Sequence, residues 1–360
     1  MPKLSKRLQQ SYEELSRYLR TFPSTRELQN RLAAELGEVL SVDALALLHT
    51  DPVTFLATSA FTVGMDDQAR RVFSHRTYLR NERVSFLDMR SSKQTVALLS
   101  EYTRGNLESE GRYLDIYKPR GLRYEIRACL NTGDDAYWGG LCIMRGDDNR
   151  DFTGGEQTYL AMLAPRLAEA LRVDRLRQSI AGDGADQVVT LLLDRHGRIL
   201  FRSRQADGVL DRFSGDESNR LDGLPWALAA VVSFLQTGPT GAEGAPPQMT
   251  VQDRLGAWWT ILALPPEDQP DGPVASMVVI SPARPEERFP RLMAAFDLTA
   301  RERELVELIA AGLSTKEIAG RLYLSEYTVM DHLKKIFGKM NINSRRELMA
   351  LLYHEGTRIP

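Results

Sequence analysis

The chain has few cysteines, little net charge and no long apolar run, and each shortage closes off a class of protein. Cys129 and Cys142 are its two cysteines, too few for the disulfide framework of a small secreted domain, so a reducing compartment is expected. No stretch reaches the ~18–20 apolar residues needed to cross a bilayer. The opening run MPKLSKRLQQSYEELSRYLR is charged and amphipathic, without the apolar core of a signal peptide. A cytoplasmic location with no membrane partner is the expectation. A formal net charge of −2 over 360 residues means that affinity for a polyanion must come from a local patch. Gly-x-Ser-x-Gly, Walker, His-Glu-x-x-His and paired Cys-x-x-Cys motifs are also missing, and Gly238–Gly244 contains proline but no phosphate-loop lysine. His49 and His75 stand alone in the sequence. The expectation is therefore no enzyme, no cofactor and no metal ion.

What is present is ordinary globular material, 43% hydrophobic and 26% charged, with length for two or three domains. Residues 298–348 are the most informative. Thr299 precedes Arg301-Glu302-Arg303-Glu304 and can cap a helix whose apolar face is Leu305, Leu308 and Ile309. Gly312 is placed to end that helix. Ser314 and Glu317 form a capping box before Ile318, Ala319 and Leu322. Ser325 caps a further helix with the stripe Val329, Leu333, Ile336 and Phe337. The segment predicts four short helices broken by two glycine-bearing turns, the middle pair forming a helix-turn-helix. Cations gather on the last two helices: Lys334, Lys335, Lys339, Arg345 and Arg346 against Glu326 and Asp331 give residues 325–346 a formal charge of +3. Such a stripe suits phosphate neutralisation.

This run resembles the DNA-binding domain of the LuxR family, also called the NarL or GerE type. The matching residues are Leu298-Thr299, Arg301-Glu302, Gly312-Leu313-Ser314, Lys316-Glu317-Ile318-Ala319, Leu322, Ser325, Thr328-Val329, His332, Ile336, Lys339 and Ser344-Arg345. The resemblance implies a recognition helix whose N-terminal end reads the major groove. Where the family usually has a lysine after Thr-Val, this chain has Met330, followed by Asp331. Met330 can offer a thymine methyl only apolar contact, Asp331 can accept from cytosine N4, and Lys334 can donate to guanine O6 or N7. Met330, Asp331 and Lys334 are thus the expected base readers. Thr328, Lys335, Lys339, Arg345 and Arg346 are expected on the DNA backbone.

Upstream, Leu4, Leu8, Tyr12, Leu15 and Leu19 share a helical face, and a second helix from about Glu27 to Val39 leads into a strand at Ala44–His49. Tyr124–Leu130 and Tyr137–Met144 read as strands around the turn Asn131–Asp135. Thr153 and Glu156 open a long helix to about Arg177, with Leu160, Leu163, Leu167, Leu171 and Leu176 along it. With Tyr117–Leu122, Trp138-Gly139-Gly140 and Asp151-Phe152-Thr153, this region is similar to a GAF domain. That resemblance implies a small-molecule pocket on one sheet face, with Phe61, Phe73, Tyr113, Tyr117, Trp138 and Cys142 as candidates beside the plainer reading of aromatic core. Cys129 and Cys142 read more simply as buried reduced thiols than as a sensor, since no cation is placed to activate them.

In the middle, Val188–Leu193 and Arg198–Arg202 flank the turn Asp194–Gly197, a helix follows near Pro225–Leu235, and Met249–Leu264 and Val274–Ile280 read as strands. Thr237–Pro247 and Pro265–Pro273 read as loops. The outline, with Leu-Leu-Asp-x-x-Gly-x-Ile at 192–199, is similar to a PAS domain. Trp258 and Trp259 alternate faces.

The expected fold class is α+β multidomain: a GAF-like α/β sandwich (1–180), a PAS-like α+β domain (181–283), a linker (284–296) and a four-helix LuxR-type helix-turn-helix domain (297–360). The expected function is a transcriptional regulator sensing a small molecule or partner, with double-stranded DNA, a second copy of the chain and RNA polymerase as partners. Helices 1–20 and 156–177 are expected to form the dimer bundle. A phosphorylated response regulator, a quorum-sensing type and a ligand-processing enzyme fused to a DNA-binding domain stand as alternatives.

Overall fold

The computed structural model describes residues 4–77, 85–133, 136–179, 187–214, 219–221, 223–237, 246–265, 274–296 and 298–353. Two helices open the chain, α1 (Lys6–Leu19) and α2 (Thr25–Leu40). In α2, Leu28, Leu32, Leu36 and Leu40 recur every fourth position and are all fully buried, the one-sided spacing that fixes a helix on a sheet. Strands β1 (Ala44–Thr50) and β2 (Ala57–Val63) form a hairpin, followed by α3 (Asp67–Arg76), α4 (Phe86–Ser91), β3 (Val96–Leu98) and α5 (Leu99–Tyr102). A π-helical turn at Tyr113–Tyr117 precedes β4 (Leu122–Asn131) and β5 (Tyr137–Gly146), and α6 (Gly154–Ser179) closes the unit. The sheet is antiparallel, in the order β2-β1-β5-β4-β3.

Alternation along β1 divides its side chains between two cores. Leu45 and Leu47 face α1, α2 and α6, whereas Ala44, Ala46 and Leu48 join the opposite core with Phe73, Tyr117 and Cys142. Both faces are covered, so β1 reads as a continuous apolar run. The expected hairpin and long closing helix are found, each extended by a few residues, and the first helix, expected over 1–20, spans Lys6–Leu19. Asp134 and Asp135 lie outside the described residues.

The second sheet contains β6 (Val189–Leu193), β7 (Ile199–Arg202), β10 (Gln248–Gln252), β11 (Trp258–Leu264) and β12 (Ser276–Pro282), in the order β10-β11-β12-β6-β7. Between its halves come α7 (Ala206–Ser214), the short pair β8 (Arg220–Leu221) and β9 (Leu224–Pro225), and α8 (Trp226–Thr237). Counted within each sheet, both run 2-1-5-4-3. The expected single strand 249–264 is a hairpin instead. Asp253 folds the chain back, its carboxylate accepting from the Leu255 and Ala257 amides at 2.9 and 3.0 Å. Trp259 is buried and donates Nε1–H to the same carboxylate at 2.8 Å. The loops expected at 237–247 and 265–273 lie, apart from their ends, outside the described residues. Helix α8 packs on β2, and one apolar core runs from the first sheet into the second.

Residues 284–296 hold a helix, α9 (Pro285–Ala295), with Pro285 in its first turn where a missing N–H costs nothing. Its Ala295 joins the core under α6, while Leu292 and Met293 join the C-terminal core. The last four helices are α10 (Ala300–Ala310), α11 (Thr315–Leu322), α12 (Glu326–Met340) and α13 (Arg345–Tyr353).

The apolar faces of α1 and α6 are spent within the chain. Leu8, Leu15 and Leu19 of α1 and Leu160, Leu163, Leu167 and Leu171 of α6 are buried in one core, and Ser11 Oγ and Tyr159 Oη share a hydrogen bond of 2.9 Å. The expected dimer bundle from these two stripes is therefore corrected: each stripe already covers the other and the sheet. Among the described residues no helix is long and apolar enough to cross a membrane.

Candidate nucleic-acid interface and sensor region

Helix α12 is built to present one face. Ser325 Oγ accepts from the Thr328 amide at 3.0 Å, closing the N-terminal turn. Val329, Leu333, Ile336 and Met340 are buried against α10 and α11. Burying such side chains contributes roughly 1.5–3 kcal/mol each, which fixes the helix's rotation. The opposite stripe is exposed: Tyr327, Met330, Asp331 and Lys334, at helical spacings of three and four. It borders an open groove that Phe337 and Ile342 also line. The three expected base readers thus stand side by side. Tyr327 belongs with them and was missed, although the same spacing carried back one turn finds it.

The turn before α12 departs from the sequence reading. Tyr323, not a glycine, takes the left-handed position at φ 54°, and the residue is 96% exposed. At the far end Asn341 does the same at φ 52°, and Gly338 lies inside α12. Among the described residues of this domain, Gly312, at φ 89°, is the one glycine that ends a helix as expected.

The expected backbone cations are not equivalent. Lys335 Nζ lies 2.8 Å from Asp331 Oδ2, one turn back, and that bond holds the Asp331 carboxyl below its ordinary value. Lys339 Nζ donates to Glu302 Oε2 at 2.7 Å. Burial alone would raise the Glu302 carboxyl, but the bonds from Lys339 and from the Thr299 amide and hydroxyl outweigh it and hold the group low. Arg345 donates to the Leu313 carbonyl at 2.5 Å and to that of Ile309 at 3.4 Å, tying α13 to the end of α10. The Thr328 hydroxyl pairs with that of Ser325 at 2.8 Å. Lys334 and Arg346 extend into solvent.

Of the six candidate pocket residues, the fold brings four together. Phe73, Tyr113, Tyr117 and Cys142 share one core; Trp138 and Phe61 belong to the other. The four surround buried charge. Tyr117 Oη donates to Glu125 Oε1 at 2.7 Å, Arg127 Nε donates to the same oxygen at 2.8 Å, and the Arg112 guanidinium lies 5.4 Å from the Phe73 ring centroid. Glu125 and Arg127 are two apart on β4, so strand alternation could have put them on this face. Burial pushes the Cys129 thiol up to about 12 and holds that of Cys142 well above its ordinary value, so both stay protonated.

Residues 297–352 match the family model for bacterial regulatory proteins of the luxR family. The nitrate/nitrite response regulator protein NarL of Escherichia coli strain K12 is 45% identical over 58 residues, 16% of this chain and 27% of NarL. The uncharacterized transcriptional regulatory protein YvfU of Bacillus subtilis is 36% identical over 72 residues, 20% of this chain and 36% of YvfU. The chain therefore covers much less than two thirds of either relative's length. Among solved structures, Escherichia coli SdiA covers 94% of both chains at 13% identity and a TM-score of 0.31. A GAF domain from a Coxiella burnetii phosphoenolpyruvate-protein phosphotransferase covers 48% of this chain and 98% of that one at 16% identity, with a TM-score of 0.33. Likenesses this distant say nothing of function, and the fold rests on the strand order itself. With its capped helices, short turn and matched sequence, the C-terminal segment is a luxR-family helix-turn-helix domain.

Proposed function

We propose that the protein is a sequence-specific DNA-binding transcription regulator in which residues 1–180 and 181–283, GAF-like and PAS-like, sense a small molecule or partner and act through 284–296 on the domain at 297–360. The observation that carries this is the exposed stripe Tyr327, Met330, Asp331 and Lys334 on a helix whose other face is locked into a luxR-family domain. Entering the major groove by its N-terminal end, α12 sets Met330 against a thymine methyl and Lys334 against guanine O6 or N7. Asp331 reaches cytosine N4 when its bond to Lys335 opens onto a phosphate. Arg346, Lys335 and the helix-end groups Thr328, Lys339 and Arg345 lie nearer the backbone. A two-fold dimer would set two such helices on half-sites about one helical turn apart, and RNA polymerase is the partner that a regulator's output requires.

Selection of bound duplexes from a random pool, followed by titration in rising salt, tests the reading. Lys334→Ala is expected to relax one base position by about 1–3 kcal/mol while Arg346→Ala weakens all sequences and flattens the salt slope by about one unit. A pool that emerges without a consensus, or equal losses for both variants on every sequence, overturns it.

A further inference from the structure

A recess of about 350 Å³, walled in part by Trp138, Leu171 and Phe213, lies between the two sheets, and its polar lining includes His49 of β1 and Arg175 of α6 on one side and Asn219 and Arg254 on the other. Arg26, in the first turn of α2, completes its rim. Three guanidinium groups therefore border one small volume. The two carboxylates that share it are already engaged. Asp174 accepts from the Thr25 hydroxyl, and Asp253 accepts from Trp259, from Arg212 at 2.5 Å and from two backbone amides. His49 Nε2 is buried with no hydrogen-bond partner, the state that normally calls for a polar neighbour.

We propose that this recess is a binding site for a small hydrophilic molecule bearing a carboxylate or phosphate group, held by Arg26, Arg175 and Arg254, with His49 donating to it. The size falls at the low end for ligand sites, and junctions between domains are where such sites concentrate. The electrostatics agree. Burial and the positive charge of Arg175 push His49 down to about 4, and burial lowers Arg175 to about 10; an anion between them relieves both. The same guanidinium lies 5.4 Å from the Trp258 ring centroid and is drawn by Asp51, and Asp51 holds Arg291 of α9 at 2.6 Å. An anion that takes Arg175 from Asp51 changes the charge balance under α9. That consequence rests on the regulatory reading; the site itself does not.

The test uses the full chain with histidine isotope labels, titrated with inorganic phosphate, with malonate and with uncharged glycerol. The His49 resonance, assigned by its loss in His49→Gln, is expected to shift saturably with an anion and to titrate at least one pH unit higher. Arg26→Gln and Arg254→Gln, both near the solvent edge, are each expected to weaken binding at least tenfold with the fold retained by circular dichroism. The tighter anion tells phosphate from carboxylate chemistry. No saturable shift, an equal response to glycerol, or unchanged affinity in both arginine variants overturns the site. Operator affinity is measured separately with and without the anion: no change there overturns the coupling through α9 and leaves both the site and DNA binding standing.

Discussion

Lys339, proposed as a backbone contact, is also used by the domain's own packing. Its ammonium is committed to Glu302, a residue only 5% exposed at the start of α10, so removing it strands a mostly buried carboxylate. Lys339→Met keeps the apolar stem and removes the charge. Since the lysine is partly solvated, screening limits the loss to about 1 kcal/mol. The pH dependence has a definite sign. Glu302 titrates below its unfolded value, so the stabilisation is complete above about pH 4.3 and is lost as pH falls through the lower, folded value. Urea unfolding of both proteins should show the difference at pH 7 and a smaller one at pH 3. An unchanged midpoint at pH 7 with weaker binding to every duplex would return Lys339 to the role of a phosphate contact.

At the scale of the element, the turn between α11 and α12 carries a conformation its sequence does not favour. A left-handed residue with a Cβ costs roughly 1–2 kcal/mol, less for asparagine, and Tyr323 is held there by its N–H bond to the Ala319 carbonyl and by the capped helix that follows. Tyr323→Asn is therefore expected to stabilise the domain by roughly 0.5–1 kcal/mol. If the exposed ring rests on the DNA backbone, the same change weakens binding uniformly. A lower melting temperature for the variant would sink the strain argument. The turn also marks what was legible beforehand. Caps at Thr153, Thr299, Ser314 and Ser325 were readable because donor and acceptor lie three residues apart. Gly256 and Asp253 marked the β10–β11 turn, but the apolar alternation around them hid it. Strand β2 and helix α3, with short and mixed patterns, gave no period to read. Pairs such as Lys339–Glu302, 37 positions apart, depend on how helices cross, which local spacing does not encode.

At the scale of the molecule, two apolar cores meet on α9, and one buried ion pair ties that helix to the first sheet domain. Arg291 reaches across from α9 to Asp51, which is fully buried and also accepts from the Thr54 hydroxyl at 2.7 Å. Arg172 of α6 donates to the Ala295 carbonyl at the helix end, and Trp258 of the second sheet packs against the C-terminal core. A pair between such distant segments holds the parts in one arrangement more than it adds stability, since both charges were desolvated to make it. Breaking one side is another matter: Arg291→Met leaves the Asp51 charge in the interior and is expected to cost about 3 kcal/mol. The loss should fall on the junction. All four tryptophans, Trp138, Trp226, Trp258 and Trp259, precede the C-terminal domain, so their fluorescence follows the sheets and, through Trp258, the junction, while far-ultraviolet circular dichroism follows every helix. The two transitions are expected to coincide in the parent and to separate in Arg291→Met. Adding Asp51→Asn removes the stranded charge and should recover most of the loss, a coupling that a double-mutant cycle reads directly. Coincident transitions in the single variant, with a loss below about 1 kcal/mol, would mean that the cores hold the arrangement without the pair, and that α9 receives no electrostatic signal from the sheets.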